Sequence, residues 1–124
     1  MFKLTLATIF VLMCSSLAVS QEITRKQWVD RMSTALPTIF CQSGQYFREC
    51  FRVSQEQCEE VALSATRICL KDKAGQMPVS INSTKDSTHW GRVVGECAGS
   101  NYELTIIGKR INSAQCNNIT NWAQ

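Results

Sequence analysis

The sequence predicts an all-α protein, a small bundle of four or five short helices stapled by three disulfides. Three observations carry that prediction. Apolar residues recur at helical spacing along most of the chain. Capping-box patterns precede three of those runs. Six cysteines, Cys41, Cys50, Cys58, Cys69, Cys97 and Cys116, follow an export signal, and an even count in an oxidising compartment reads as a disulfide framework.

The signal occupies residues 1–20. Lys3 gives the positive start, Leu4 to Met13 the apolar run, and Ala18-Val19-Ser20 the small residues that signal peptidase requires before Gln21. The run is too short for a membrane anchor. Cys14 lies inside it and leaves with it. Residues 21–124 then form one domain, expected to be secreted or periplasmic. Of the chain's net +3, Lys3 departs with the signal, leaving about +2. That charge is too mild to predict nucleic-acid binding. A domain this small is marginal on its core alone, and three crosslinks of roughly 2–4 kcal/mol each make up the deficit.

The elements follow in order. Thr24-Arg25-Lys26-Gln27 is a capping box, with Ile23 and Trp28 placed as a hydrophobic staple. Trp28, Met32, Ala35, Leu36, Ile39 and Phe40 continue the helix, and Pro37 predicts a kink or restart within it. Ser43-Gly44 is a break, followed by a short apolar stripe of Tyr46, Phe47, Cys50 and Phe51. Ser54-Gln55-Glu56-Gln57 caps the clearest helix. Cys58, Val61, Ala62, Ala65, Ile68 and Cys69 share one face of it, with acids at its start and bases at its end. Residues 71–87 read as a long loop. Trp90, Val93, Val94 and Cys97 give a further helix closed by Gly99. Ser100-Asn101-Tyr102-Glu103 opens a last one through Leu104, Ile107, Ile111 and Ala114, although Tyr102, Leu104 and Ile106 also alternate as in a strand.

Folding residues 41–69 into a helical hairpin about Val53-Ser54 brings Cys50 opposite Cys58 and Cys41 opposite Cys69, leaving Cys97 to pair with Cys116. This pattern resembles the twin-cysteine hairpins of mitochondrial import proteins, from which it departs in both spacings and in its secretory signal. The chain as a whole resembles small secreted proteins of gram-negative bacteria, some released by type II secretion after folding in the periplasm. The resemblance rests on the signal, on Glu49-Cys50-Phe51 with Cys58 and Cys69 after it, and on Trp90-Gly91 before Cys97-Ala98-Gly99. It implies a localisation and no mechanism.

Chemistry is sparse. The closest cysteines, Cys50 and Cys58, are eight positions apart, unlike the close pairs of structural zinc sites, so no metal is expected. Nothing calls for a cofactor. No serine or spare cysteine sits in a nucleophile setting. His89, the single histidine, shares a helix stripe with Arg92 and Glu96; His89 with Glu96 as a small hydrolase is the enzymatic reading, and a solvated face with an Arg92–Glu96 pair is the plain one. Lys71, Lys73, Lys109 and Arg110 converge if the helices carrying them pack side by side, and would then hold anionic phospholipid (phosphoinositide) headgroups. Asn82 and Asn118 begin glycosylation triplets, relevant only in a eukaryote. The leading expectation is therefore a secreted non-enzymatic binding protein, a bacterial effector acting on a host or competitor target. The partner is an unknown protein or a lipid headgroup, and a periplasmic immunity or inhibitor protein is the further alternative.

Overall fold

The computed structural model describes residues 23–122. The expected signal segment and cleavage site at residues 1–20 lie outside the described residues. Three long helices dominate: α1 (Arg25–Phe40), α3 (Gln55–Lys73) and α4 (Thr84–Thr105). Two single turns, α2 (Tyr46–Glu49) and α5 (Ala114–Asn117), complete the α-helices, so the all-α expectation holds. The strand content among the described residues is small. β1 (Ile23–Thr24) pairs antiparallel with β2 (Ser80–Ile81), and one isolated bridge joins Phe51 to Arg110.

Two of the three capping boxes form, while the third, Ser100–Glu103, lies inside α4 and starts no helix. The Thr24 hydroxyl accepts from the Gln27 amide at 3.2 Å while the Gln27 side chain accepts from the Thr24 amide at 3.1 Å. Ser54 and Gln57 repeat the exchange at 3.1 and 3.0 Å. α1 does not restart at Pro37. Only its last turn follows the proline, so the missing donor removes one hydrogen bond near an end that frays anyway. The chain then breaks at Gly44, whose φ of +87° is a left-handed conformation that favours glycine.

The long helices pack antiparallel in sequence. Arg25, at the start of α1, donates to the carbonyls of Ala74 and Met77 just past the end of α3, each at 3.1 Å. At the opposite end, Cys41 after α1 is bonded to Cys58 in the first turn of α3. Trp28 donates from its indole to Ser87 of α4 at 3.3 Å. Tyr102, near the end of α4, donates to the Phe47 carbonyl at 2.9 Å. The core between them holds Trp28, Leu36, Leu70, Val94, Ala98 and Tyr102, with five of the six cysteines also buried.

Four sequence expectations are corrected. The loop at 71–87 shrinks, because α3 runs through Lys73 and α4 begins at Thr84, capped by the Ser83 hydroxyl accepting from the Asp86 amide at 3.0 Å. α4 does not close at Gly99 but runs on to Thr105 as one helix of 22 residues. Gly99 serves packing rather than termination. A Cβ there would stand 2.9 Å from the Phe47 ring, closer than side chains tolerate. Beyond α4 the expected last helix is a 3-10 turn at Ile107–Lys109, an extended stretch, and α5. That stretch docks on the α2–α3 connection: Arg52 donates to the Lys109 carbonyl and Ile111 to the Cys50 carbonyl, both at 2.8 Å.

The disulfide pairing is the fourth correction. The bonds are Cys41–Cys58, Cys50–Cys116 and Cys69–Cys97, in place of Cys41–Cys69, Cys50–Cys58 and Cys97–Cys116. The expected hairpin required residues 41–50 to be the helix facing α3. They are a turn and one helical turn, and α1 takes that place. The pairing is checkable because each cysteine falls in its own tryptic peptide. A non-reduced digest should link 32–48 to 53–67, 49–52 to 111–124, and 68–71 to 93–109. A 32–48 to 68–71 species in the mass spectrum would restore the hairpin and overturn this fold.

Candidate ligand groove

A concavity of about 770 Å³ opens between α2, α4 and the C-terminal segment. Its size lies within the range of small-ligand and peptide sites. Each wall has a local cause. The single turn of α2, set by the break at Gly44, presents Tyr46 and Phe47. α4 contributes Gly95, Glu96, Gly99, Ser100 and Glu103, which recur at helical spacing on one face. The third wall holds Arg110, Asn117, Ile119 and Trp122, and the Cys50–Cys116 bond ties it to the end of α2. Glycines on α4 keep the floor low; a Cβ at Gly95 would meet nothing within 4 Å.

A linked polar triad spans the walls. The Tyr46 hydroxyl donates to a Glu103 carboxylate oxygen and accepts from Arg110 Nε at 3.1 Å. Arg110 also donates from Nη1 to Asn117 Oδ1 at 2.9 Å and from Nη2 to the Cys116 carbonyl at 3.1 Å. Its guanidinium carbon lies 5.9 Å from the centroid of the Tyr46 ring, within cation–π reach. Burial first, and then the hydrogen bond to Glu103, push the Tyr46 phenol above its usual 10.0. It therefore stays protonated at neutral pH and acts as a donor. Trp122 packs edge-on against Tyr46 at 5.8 Å between centroids, and its indole donates to the Gln115 carbonyl at 2.9 Å.

The residues singled out from the sequence are dispersed. Lys71 and Lys73 stand at the end of α3, with Lys73 3.4 Å from Asp72. Lys109 sits beside Arg52, just before α3 begins. A helix of 19 residues separates them, roughly 28 Å at 1.5 Å per residue. The four bases do not converge on one face, and Arg110 is turned into the groove. His89 lines a separate shallow depression with Lys85 and Arg92, its ring 5.0 Å from that of Trp90. Glu96 lies in the groove, about 10 Å further along α4, too far to share a proton with His89. The Arg92–Glu96 pair is not made; among the described residues the single ion pair is Lys73 with Asp72. Asn82 and Asn118 are both exposed. No group of three or more metal-ligating side chains stands together among the described residues.

Sequence reading missed Tyr46, Glu103 and Trp122 as a unit. Tyr46 and Glu103 are 57 positions apart, and nothing local to either marks the contact.

A family model described as T2SS substrate NttA matches residues 22–119. The chain belongs to that family. No curated protein and no solved structure matches it. An NttA-family chain is a type II secretion substrate, which accounts for the secreted or periplasmic localisation expected from the sequence. No described helix is long and apolar enough to cross a membrane. For an NttA-family protein the three disulfides have a plain role, since a folded, crosslinked domain suits an oxidising exterior.

Proposed function

We propose that this protein is a secreted, non-enzymatic binding protein whose ligand seats in the groove between α2, α4 and the C-terminal segment. The observation that supports this reading is the triad of Tyr46, Glu103 and Arg110, which fixes the groove walls before any ligand arrives. Preorganisation of this kind lowers the ordering cost of binding. Aromatic walls above a floor of glycines supply apolar contact area, and a few fixed polar groups supply orientation. Membership in a secreted family favours a target outside the producing cell, on a host or a competitor, over a periplasmic immunity role.

The test uses a random peptide display library selected on the wild-type protein and a groove-filled variant, Gly95→Phe. Gly95 lines the groove and a Cβ there would meet nothing within 4 Å, so a larger side chain starts from open space. Selected binders should lose at least tenfold affinity for Gly95→Phe while its thermal melt matches the wild type. Binders that engage both proteins equally would show that the groove is not the binding surface.

A further inference from the structure

We infer that the groove takes an extended peptide segment presenting a lysine or arginine beside apolar side chains, an inference that rests on the groove being the binding surface. Charge decides the sign. Two carboxylates, Glu96 and Glu103, face one guanidinium, Arg110, so the lining carries a net charge of −1. The two sides of that balance are not equally free. Each nitrogen of Arg110 already donates once, to Tyr46, Asn117 and the Cys116 carbonyl, which uses three of its five N–H donors. Most of its donor capacity is therefore used within the groove wall rather than offered to a ligand carboxylate. Among the described residues Glu96 makes no side-chain hydrogen bond, and Glu103 accepts on one oxygen only, from Tyr46. The unused acceptors are thus anionic, and they suit a cation.

The apolar half of the ligand follows from the same walls. Phe47, Ile119 and Trp122 line the groove, with Ile119 80% exposed. An exposed isoleucine beside a half-buried tryptophan offers apolar area to a partner. Length favours a peptide over a single amine. The wall from Gly95 to Glu103 covers eight residue steps of α4, about 12 Å. An extended chain rises about 3.3 Å per residue, so the groove accommodates three to four residues.

The experiment titrates the full secreted chain with capped hexapeptides of one leucine-rich frame. Their central residue is arginine, its neutral isostere citrulline, or glutamate. The arginine peptide should bind at least tenfold more tightly than the citrulline peptide, and the glutamate peptide most weakly. The arginine preference should shrink in the Glu96→Gln/Glu103→Gln variant, where the new amide oxygen at position 103 can still accept from Tyr46, and should shrink with added salt. Three outcomes overturn the inference. Equal binding of all three peptides, lost in Gly95→Phe, leaves the groove as a binding surface and removes the basic specificity. Free arginine amide binding as tightly as the peptide removes the peptide. No binding of the arginine peptide to the wild type at low salt removes both, while the display selection judges the groove separately.

Discussion

Replacing Cys50 and Cys116 together by alanine should cost roughly 4 kcal/mol, more than removing either other bond. The loop that this bond closes spans 66 residues, against 28 for Cys69–Cys97 and 17 for Cys41–Cys58. Chain entropy released to the unfolded state grows with loop length, from roughly 3 kcal/mol for the shortest of these to roughly 4 for the longest. Small domains hold only about 5–15 kcal/mol in total, so the variant should stand close to its unfolding limit. Alanine is the right replacement because both positions are buried and a serine hydroxyl would lack a partner there. The loss should extend to the groove. Cys116 supplies the carbonyl that Arg110 holds, and the freed segment carries Asn117 and Trp122 away with it. Urea unfolding of the three paired-alanine variants measures the order directly. A smaller loss for Cys50–Cys116 than for Cys41–Cys58 would mean that strain or residual unfolded structure, not loop length, sets the stability of these bonds.

Tyr102 should be the most costly single side chain to truncate. It is fully buried, and its ring meets Phe47 and Phe51 edge-on, each at 5.2 Å between centroids. Tyr102→Ala should cost about 3–5 kcal/mol, the range for large aromatic truncations in a core. Tyr102→Phe keeps the ring but orphans the Phe47 carbonyl, a helix-end acceptor, at a cost of about 1–3 kcal/mol. The same hydroxyl has an alkaline signature. Burial raises its pKa from 10.0 to about 12. Between those values the unfolded chain has lost the proton and the folded chain keeps it. Fewer protons are then bound in the unfolded state, so stability falls as pH rises from about 10 to about 12. Below pH 10 the contribution is fully present. A rise of this size corresponds to about 2–3 kcal/mol at most. Unfolding free energies of wild type and Tyr102→Phe, compared at each pH, isolate this group because every other titration is shared. Parallel curves between pH 9 and 12 would mean that Tyr102 is not held as described.

Local signals were legible in the sequence, and closures between distant segments were not. Thr24 and Ser54 announced their helices because a capping box is written within four residues and needs no partner elsewhere. The α3 face from Cys58 to Cys69 was equally visible, because one helix defines it. Gly99 misled because the same residue type ends helices and lets aromatic rings approach them, and only the position of Phe47 distinguishes the two uses. Disulfide pairing failed for a related reason. Helical geometry does favour antiparallel partners, but the partner of α3 was α1, and the segment between them was too short to form the assumed second arm. The groove depended on all of this at once. Its triad joins residues 46, 103 and 110, which meet only after the segment following α4 docks beside Cys50.

The bonds Cys41–Cys58 and Cys50–Cys116 interleave along the chain, since Cys50 lies inside the first loop and Cys58 inside the second. Together the two loops cover every peptide bond from Cys41 to Cys116. A protease that makes one cut anywhere in that span severs the backbone without separating the pieces. For a protein released among the hydrolases of its surroundings, a single nick is then a local wound rather than a loss of the molecule. All three walls of the groove, up to Cys116, remain tied to one another after it.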